Sequence, residues 1–203
     1  MLKREALQIL EQKIAGCTKC EELTEYRRAN NYRTVPGNGN PAARVFVLGE
    51  APGENEAKQG VPFCGKAGNL LNNILKAAGL SRDDVFVTNV LKCRPPGNRD
   101  PEKCEADNCR KYLDMQLKCV NPEWIVCFGR IASVNLLGKE PDTTIGSLRG
   151  VVHEYNGRKV ICTYHPSYIL QCPTDEKQTA AKKAVWEDLQ PLLCALRESQ
   201  TSV

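Results

Sequence analysis

The sequence contains a short apolar run that passes directly into a polar turn, Arg44-Val45-Phe46-Val47-Leu48-Gly49-Glu50-Ala51-Pro52-Gly53. Its continuous apolarity is typical of a strand that is buried on both faces, as in a parallel sheet. Three further runs of this kind follow at wide intervals, at residues 85–90, 124–128 and 159–163. The stretch therefore predicts the first strand of a parallel sheet and places polar residues beyond its carboxyl end.

Helical patterns alternate with these four runs. Apolar residues recur at helical spacing over residues 70–78 and stop at Gly79, and Asp100-Pro101-Glu102 starts another helix between the next two runs. A first helix is predicted over residues 7–14, and a last one over residues 181–196 with a kink at Pro191. The pattern predicts an α/β fold, a three-layer sandwich with a short, mostly parallel four-stranded sheet flanked by helices.

Two connecting segments complete this prediction. A polar loop is expected from about Cys20 to Ala43, and Tyr155-Asn156-Gly157-Arg158 is typical of a hairpin turn. We expect one domain over residues 1–203, because this length supports one hydrophobic core and not two.

Composition limits the classes of function. The chain is 41% hydrophobic and 26% charged, with a net charge of +4, which permits a polyanionic partner but is below the charge of most charge-driven nucleic-acid binders. No stretch approaches the roughly 20 apolar residues that a bilayer crossing needs, and the first residues lack the apolar core of a signal peptide. We therefore expect a cytoplasmic monomer without a membrane partner.

The 11 cysteines favour metal or cluster chemistry over a disulfide framework, because no export signal is evident. Cys17 and Cys20 are separated by two residues, a spacing that lets one turn present both thiolates to one metal centre. Cys127 and Cys162 lie in strand-like runs, where a thiol packs as a small hydrophobe. Two further ligands must come from elsewhere in the chain.

Polar residues follow the predicted strands. Glu50, Asn89 and His165 each lie at or just beyond the end of an apolar run. Because ligands of open α/β sheets bind beyond the carboxyl ends of the strands, these side chains predict a pocket. Each residue alone has an ordinary structural explanation, as a turn, a strand-end cap or a hydrogen-bonded core histidine.

Four motifs occur in a fixed order: residues 49–53, 60–65, 88–99 and 165–170. In these motifs the chain resembles the uracil-DNA glycosylase superfamily, and within it the iron-sulfur branch called family 4. The resemblance implies that the protein acts on uracil-containing DNA, single- or double-stranded, flips out the uracil and hydrolyses its N-glycosidic bond. It also implies a 4Fe-4S cluster beside the site.

The resemblance assigns roles to the pocket residues. Phe63 is implied to stack on the uracil, and the Asn89 amide to read its edge by donating to O4 and accepting from N3–H. His165 is implied to stabilise the charge that develops on the departing base. Asn98 is implied to position the attacking water, whereas Glu50 acts either as the base for that water or as an orienting group.

DNA contacts are predicted around the pocket. Ser167, Ile169 and Leu170 follow the catalytic histidine, and the two apolar residues are suited to wedge into the base stack. Basic residues near the motifs are predicted phosphate contacts, which should make binding salt-dependent: Lys92, Arg94, Arg99 and Arg149.

The chain departs from the family pattern at three places. Ala51, a predicted pocket residue, stands where this branch has glycine, and Gln171-Cys172 stand where arginine and asparagine are common. Gly53 stands where the cluster-free enzymes carry a tyrosine that blocks the methyl group of thymine. The sequence therefore leaves the exclusion of thymine unexplained.

The predicted cluster ligands are Cys17, Cys20, Cys93 and Cys109. Cys104 and Cys109 lie five positions apart on one predicted helix, about 140° apart around its axis, so only one can face the cluster. Cys109 lies on the apolar stripe with Ala106, Leu113 and Leu117, and its 16-position gap from Cys93 matches the family. Four thiolates suit zinc equally well, so the spacing alone leaves zinc open.

Two other classes of function remain open at this stage. The chain is interpreted alternatively as a cluster-bearing electron carrier with a nucleotide or flavin site, or as a DNA-binding module without catalysis. Residues 49–53 lack the Gly-x-Gly-x-x-Gly pattern that a dinucleotide site favours.

Overall fold

The computed structural model of the protein describes residues 2–201. Six strands form one mixed sheet in the order β1-β3-β2-β4-β6-β5. The strands are β1 (Asn38–Gly39), β2 (Val45–Gly49), β3 (Val85–Asn89), β4 (Trp124–Phe128), β5 (Val152–Tyr155) and β6 (Arg158–Thr163). Three neighbouring pairs are parallel, and the two edge strands β1 and β5 pair antiparallel.

The prediction of a mostly parallel four-stranded sheet is therefore corrected to a mixed sheet of six strands. The four predicted runs are present as β3, β2, β4 and β6, and the predicted turn at Asn156-Gly157 joins β5 to β6 in a hairpin. The missed strands are the short edges, because β1 has two residues and β5 alternates between exposed and half-buried positions.

Helices flank this sheet: α1 (Lys3–Ala15), α2 (Glu21–Ala29), α3 (Glu54–Gln59), α4 (Lys66–Ala77), α5 (Lys103–Val120), α6 (Arg130–Leu137), α7 (Ile145–Leu148), α8 (Pro166–Leu170), α9 (Asp175–Asp188) and α10 (Gln190–Thr201). The expected polar loop before Ala43 instead contains α2 and β1. The predicted last helix is two helices, with Pro191 in the first turn of α10, where its missing N–H removes no hydrogen bond.

The core has two layers, one on each face of the sheet. Alternate residues of β2 separate between them, because successive side chains of a strand point to opposite faces. Phe46 packs in the layer that holds Leu113 of α5, and Val47 packs in the layer that holds Leu71 of α4 and Val185 of α9. Helices therefore cover both faces of the sheet, as predicted.

The four parallel strands end at the same edge of the sheet. Gly49 is in register with Asn89, and Phe128 with Thr163, so the segments that follow these strands lie side by side. Among residues 2–201, none of the helices combines the length and apolarity that crossing a bilayer requires.

Candidate active site

A cleft of about 530 Å³ opens at this edge of the sheet. Eight of the residues predicted from the sequence line it: Glu50, Ala51, Phe63, Asn89, Asn98, Arg99, His165 and Ser167. Arg149, Ile169 and Leu170, which were also predicted, do not line it. The cleft therefore brings together the carboxylate, the amide, the imidazole and the aromatic ring.

Phe63 and Asn89 converge on Gly49. A Cβ atom on Gly49 would lie 2.3 Å from Asn89 Oδ1 and 2.6 Å from Phe63 Cζ, so no side chain fits there. Phe63 has a left-handed backbone with φ of 52°, and its carbonyl lies against Gly68, where a Cβ would be 1.7 Å away. Gly49 thus lets the ring and the amide pack directly against the backbone, and Gly68 makes room for the Phe63 carbonyl.

The backbone of Asn89 is held by a buried lysine. The Lys92 side chain has 1% exposure, and its Nζ donates to Asn89 O at 2.6 Å, Thr88 Oγ1 at 2.7 Å and Gln116 Oε1 at 2.9 Å. These three acceptors match the three donors of an ammonium group, and burial lowers the pKa of Lys92 to about 7. The prediction that Lys92 contacts phosphate is wrong, because this group has no access to DNA; it instead fixes the strand end that carries Asn89.

His165 caps the N-terminus of α8 and has a defined tautomer. The backbone N–H of Ser167 donates to Nδ1 at 3.1 Å, and Ser167 Oγ lies 2.6 Å from the same atom. Burial lowers the pKa of His165 to about 4, so the ring is neutral at pH 7. Because Nδ1 accepts, the proton of the neutral ring is on Nε2, which leaves Nε2–H as the available donor.

Glu50 has a carboxyl group suited to accept a proton near neutral pH. Burial, with a smaller effect from the negative charge of Asp100, raises the pKa of Glu50 to about 7, although the positive charge of Arg130 acts in the opposite direction. Arg130 Nη2 lies 2.6 Å from Asp100 Oδ2, so these two charges partly compensate each other. A group with such a pKa is partly ionised at pH 7, as general acid-base catalysis favours.

Asn98 stands on an irregular segment at the rim of the cleft. Gly97 and Asn98 both have left-handed backbones, with φ of 62° and 56°. Arg94 Nε donates to Asn98 Oδ1 at 2.8 Å, while Arg94 Nη1 donates to Tyr32 Oη at 2.7 Å. Arg94 therefore holds the Asn98 amide, which leaves the amide N–H groups as its free donors.

The predicted DNA contacts outside the cleft are changed by burial and pairing. Ile169 has 0% exposure, so its predicted role as a wedge is contradicted, whereas Leu170 is 43% exposed. Arg99 lies 2.8 Å from Glu105 and 3.0 Å from Glu22, and Arg149 lies 3.0 Å from Asp188. A phosphate must compete with these carboxylates, and the roles of the two arginines stay predictions.

Glu56 is a cleft residue that the sequence interpretation missed. Its Oε1 accepts from Cys64 N at 3.1 Å and Gly65 N at 3.0 Å. Its Oε2 lies 2.7 Å from the position that a Cβ on Gly53 would take. The spacing of three residues from Gly53 to Glu56, close to one helical turn, is the signal that would have found it.

A second, smaller cavity is lined by all four predicted cluster ligands, Cys17, Cys20, Cys93 and Cys109. Cys104 does not line it and is exposed, as the helical stripe predicts. Asn108 Nδ2 lies 3.5 Å from Cys20 Sγ, and Lys92 also borders the cavity. Within residues 2–201, no three cysteine, histidine or acidic side chains are gathered around a single metal position.

This donor set fits a thiolate-bound centre by its chemistry. The four cysteines come from three separate parts of the chain, the α1–α2 turn, the segment after β3 and α5, and line one cavity beside Lys92. Soft thiolate ligands suit iron-sulfur clusters and zinc alike. The cavity borders Lys92, whose Nζ donates to the carbonyl of Asn89, so Lys92 connects the cavity to the end of β3 that borders the cleft.

Comparison with known proteins places the cleft in a family context. A family model described as the Uracil DNA glycosylase superfamily matches residues 36–190. The chain is 44% identical over 176 residues to a type-4 uracil-DNA glycosylase of Archaeoglobus fulgidus, covering 83% of this chain and 85% of that protein. It is 37% identical over 190 residues to a type-4 uracil-DNA glycosylase of Thermotoga maritima, covering 93% of each.

A more distant relative carries a different type number. A type-5 uracil-DNA glycosylase of Pyrobaculum aerophilum is 32% identical over 181 residues, covering 76% of this chain and 80% of that protein. The segment matched by the family model includes every residue that lines the cleft.

Proposed function

The chain belongs to the uracil-DNA glycosylase superfamily and, within it, to the type-4 uracil-DNA glycosylases, and from that membership we propose how its cleft works. The protein hydrolyses N-glycosidic bonds and excises uracil from DNA, which leaves an abasic site for repair. The observation that supports the assignment of this reaction to the cleft is that Phe63, Asn89 and His165 line it together, with the Phe63 and His165 rings 5.6 Å apart.

Uracil recognition is assigned to Phe63 and Asn89. A base in a duplex must be extruded before any side chain can reach its glycosidic bond, and stacking on Phe63 offsets part of the lost base stacking. The Asn89 amide donates to O4 and accepts from N3–H, whereas cytosine presents the opposite order. The hydrogen bonds of Lys92 restrict the strand end from which this amide projects.

Bond cleavage is assigned to His165, Glu50 and Asn98. The C1′–N1 bond breaks with both electrons moving to the uracil, and Nε2–H of His165 donates to O2 as negative charge develops there. A water molecule held by the amide N–H groups of Asn98 adds to C1′, and Glu50 accepts its proton. Each group interacts more strongly with the transition state than with the bound substrate, which is the condition for raising kcat.

The pH profile tests the role of Glu50. We expect the single-turnover rate to rise about tenfold per pH unit below pH 7 and to level off above it, because only the carboxylate accepts a proton. In Glu50→Gln, the rate should no longer rise with pH in this range, and it should lie about 100-fold below the wild-type plateau. His165 cannot cause this rise of the rate near pH 7, because its pKa of about 4 keeps the ring neutral there.

The stability of the fold should decrease as the pH rises, whereas the excision rate should increase. The folded-state pKa of Glu50 is raised from 4.5 to about 7, so its contribution to stability is fully present below pH 4.5 and is lost as pH rises through 7. Glu50→Gln should therefore unfold at a higher temperature than the wild type at pH 8. If the excision rate of Glu50→Gln still rose with pH up to about 7, Glu50 would not be the group that accepts the proton.

We further propose that Glu56 excludes thymine. Its carboxylate occupies the space beside Gly53, the position where the cluster-free enzymes carry the residue that blocks the methyl group. The two backbone N–H groups of Cys64 and Gly65 hold the carboxylate in that place. Exclusion of thymine is thus assigned to a side chain about one helical turn after Gly53, the position at which the cluster-free enzymes carry their blocking residue.

Replacing Glu56 by alanine should lower the preference for uracil over thymine by about 10- to 200-fold, since that is the usual range for one methyl group in a pocket. The measurement is the ratio of excision rates on matched oligonucleotides that contain uracil or thymine opposite guanine. Glu56→Gln is the control, because it preserves the volume and one acceptor atom. An unchanged ratio in Glu56→Ala would contradict the assignment.

We also propose that Cys17, Cys20, Cys93 and Cys109 hold a 4Fe-4S cluster. When bound, such a cluster supplies a structural cross-link between three parts of the chain, and the hydrolysis itself requires no electron transfer. The convergence of the four cysteines on one cavity supports the ligand set, and the type-4 relatives support iron and sulfide over zinc.

Incubation with uracil-containing oligonucleotides, followed by hot alkali to cleave abasic sites, tests the overall function. Cleavage of single- or double-stranded uracil DNA, and none of thymine DNA, is expected. Binding without cleavage would indicate a DNA-binding module. Reduction and reoxidation with neither binding nor cleavage would indicate an electron carrier.

A further inference from the structure

Two tyrosines form a stack at the mouth of the cleft. Tyr164 and Tyr168 both line the cleft, and their ring centroids are 4.9 Å apart with an interplanar angle of 27°. Tyr168 remains 51% exposed although Tyr164 covers one side of its ring, so much of the remaining ring surface is open to solvent. A large aromatic ring in this state presents apolar surface at the entrance used by DNA.

The base of this stack is fixed by charged groups. The guanidinium of Arg149 lies 5.0 Å from the ring centroid of Tyr164, at the distance of a cation-π contact. Arg149 Nε donates to Asp188 Oδ2 at 3.1 Å, and Nη2 donates to Ala184 O at 2.9 Å. Asp188, which is 5% exposed, also accepts from Thr163 Oγ1 at 2.6 Å.

This arrangement is pre-organised. Tyr164 contacts both the Arg149 guanidinium and the Tyr168 ring, and Arg149 is tied in turn to Ala184 and Asp188 at the α9 side of the site. Burial of a further flat group on Tyr168 would need little ordering of the protein, because the ring is already held. The anchoring of Arg149 also gives that residue a role other than the phosphate contact predicted from the sequence.

We propose that Tyr168 is a stacking platform for the nucleobase adjacent to the extruded uracil in the same strand, an inference that rests on the proposed function. Phe63 is 7% exposed, inside the cleft, and receives the extruded base, whereas Tyr168 lies at the mouth, three residues after His165. The platform accepts any neighbouring base, because every base has a π-face. It holds the strand beside the cleft while the uracil is inside.

Binding to a non-cleavable substrate tests this proposal. Short single-stranded oligonucleotides carry 2′-fluoro-2′-deoxyuridine, whose fluorine disfavours the oxocarbenium-like transition state and so prevents excision. One oligonucleotide has normal bases on both sides of the uracil, and the other has abasic tetrahydrofuran spacers there. Dissociation constants are measured by fluorescence anisotropy for the wild type, Tyr168→Ala and Tyr168→Phe.

Tyr168→Ala should weaken binding to the normal oligonucleotide by about 5- to 150-fold, and binding to the spacer oligonucleotide by less than about twofold. Tyr168→Phe should retain wild-type affinity for both, because stacking needs the ring and not the hydroxyl. Trp186→Ala is the matched control, since Trp186 is also an exposed aromatic residue, at 39%, but lies on α9 outside the cleft lining; it should bind both oligonucleotides normally.

Two outcomes would overturn the platform. One is equal weakening of both oligonucleotides by Tyr168→Ala, which would indicate a contact to the backbone or a structural effect. The other is no weakening of either. Excision of ordinary uracil by the wild type, measured in parallel, separates this failure from a failure of the proposed function: an active wild type with an unresponsive Tyr168 rejects the platform alone.

Discussion

Replacing His165 by alanine is expected to lower the single-turnover excision rate by about 100- to 1000-fold, while the dissociation constant for uracil DNA changes by less than about threefold. In the proposed mechanism, the neutral ring donates from Nε2–H to an oxygen that becomes strongly negative only as the glycosidic bond breaks. Its contribution is therefore concentrated in the transition state. Rapid-quench excision assays and anisotropy with the non-cleavable analogue measure the two quantities separately.

The other histidine provides the control for this prediction. The chain has two histidines, and His153 lies on β5 with its Nε2 2.7 Å from Leu148 O, outside the cleft lining. His153→Ala should excise uracil at the wild-type rate. Equal losses of rate and of affinity in His165→Ala would contradict a role confined to the transition state.

The pH dependence of the rate distinguishes a neutral from a charged donor. Burial holds the pKa of His165 at about 4, so a neutral donor keeps its function up to alkaline pH. A charged imidazolium would lose its proton, and its function, as the pH rose through that value. Activity that is retained at pH 8 in the presence of an intact Glu50 therefore supports the neutral ring.

The sequence allowed the strand ends of the cleft to be predicted, because fully buried parallel strands are continuous apolar runs. The carboxyl ends of β2, β3 and β6 lie at the same edge of the sheet, which is why Glu50, Asn89 and His165 were predicted to share one pocket. In contrast, α2 has only Leu23 and Thr24 buried, and such a polar segment resembles a loop.

Burial of charged residues was not predictable in the same way. Lys92 lies in a basic segment next to Arg94, and a lysine in such a segment is usually solvated. Its burial depends on acceptors from Thr88 and from Gln116, which is 24 residues away in sequence. The same holds for Ile169 and Tyr168, whose exposure depends on how α8 lies against the core and not on their hydrophobicity.

The cysteine cavity is connected to the strand end that carries Asn89. Cys93 directly follows Lys92, and the Lys92 ammonium donates to the carbonyl of Asn89. Movement of the Cys93 segment would therefore disturb the end of β3, to which base recognition is assigned in the proposed function. We expect loss of the cluster to reduce both the stability of the fold and the affinity for uracil.

Alanine substitution of any one of Cys17, Cys20, Cys93 and Cys109 is expected to remove visible absorbance, iron and sulfide from the purified protein. A missing ligand would open the proposed centre, which joins three parts of the chain. A loss of about 4 kcal/mol corresponds to a fall in melting temperature of roughly 8–16 °C. Optical spectra, iron and sulfide analysis and thermal unfolding measure these effects independently of activity.

Cys104→Ala is the matched control, because Cys104 lies on the same helix five positions before Cys109 but is exposed and outside the cavity. It should keep the brown colour, the iron content and the wild-type melting temperature. A wild-type protein that is colourless and contains zinc would contradict the cluster proposal, because four thiolates bind zinc equally well. If Cys104→Ala lost its colour and Cys109→Ala stayed brown, the fourth ligand would be Cys104 and not Cys109. Only one of the two can be a ligand, because they lie about 140° apart around α5 and cannot both face one centre.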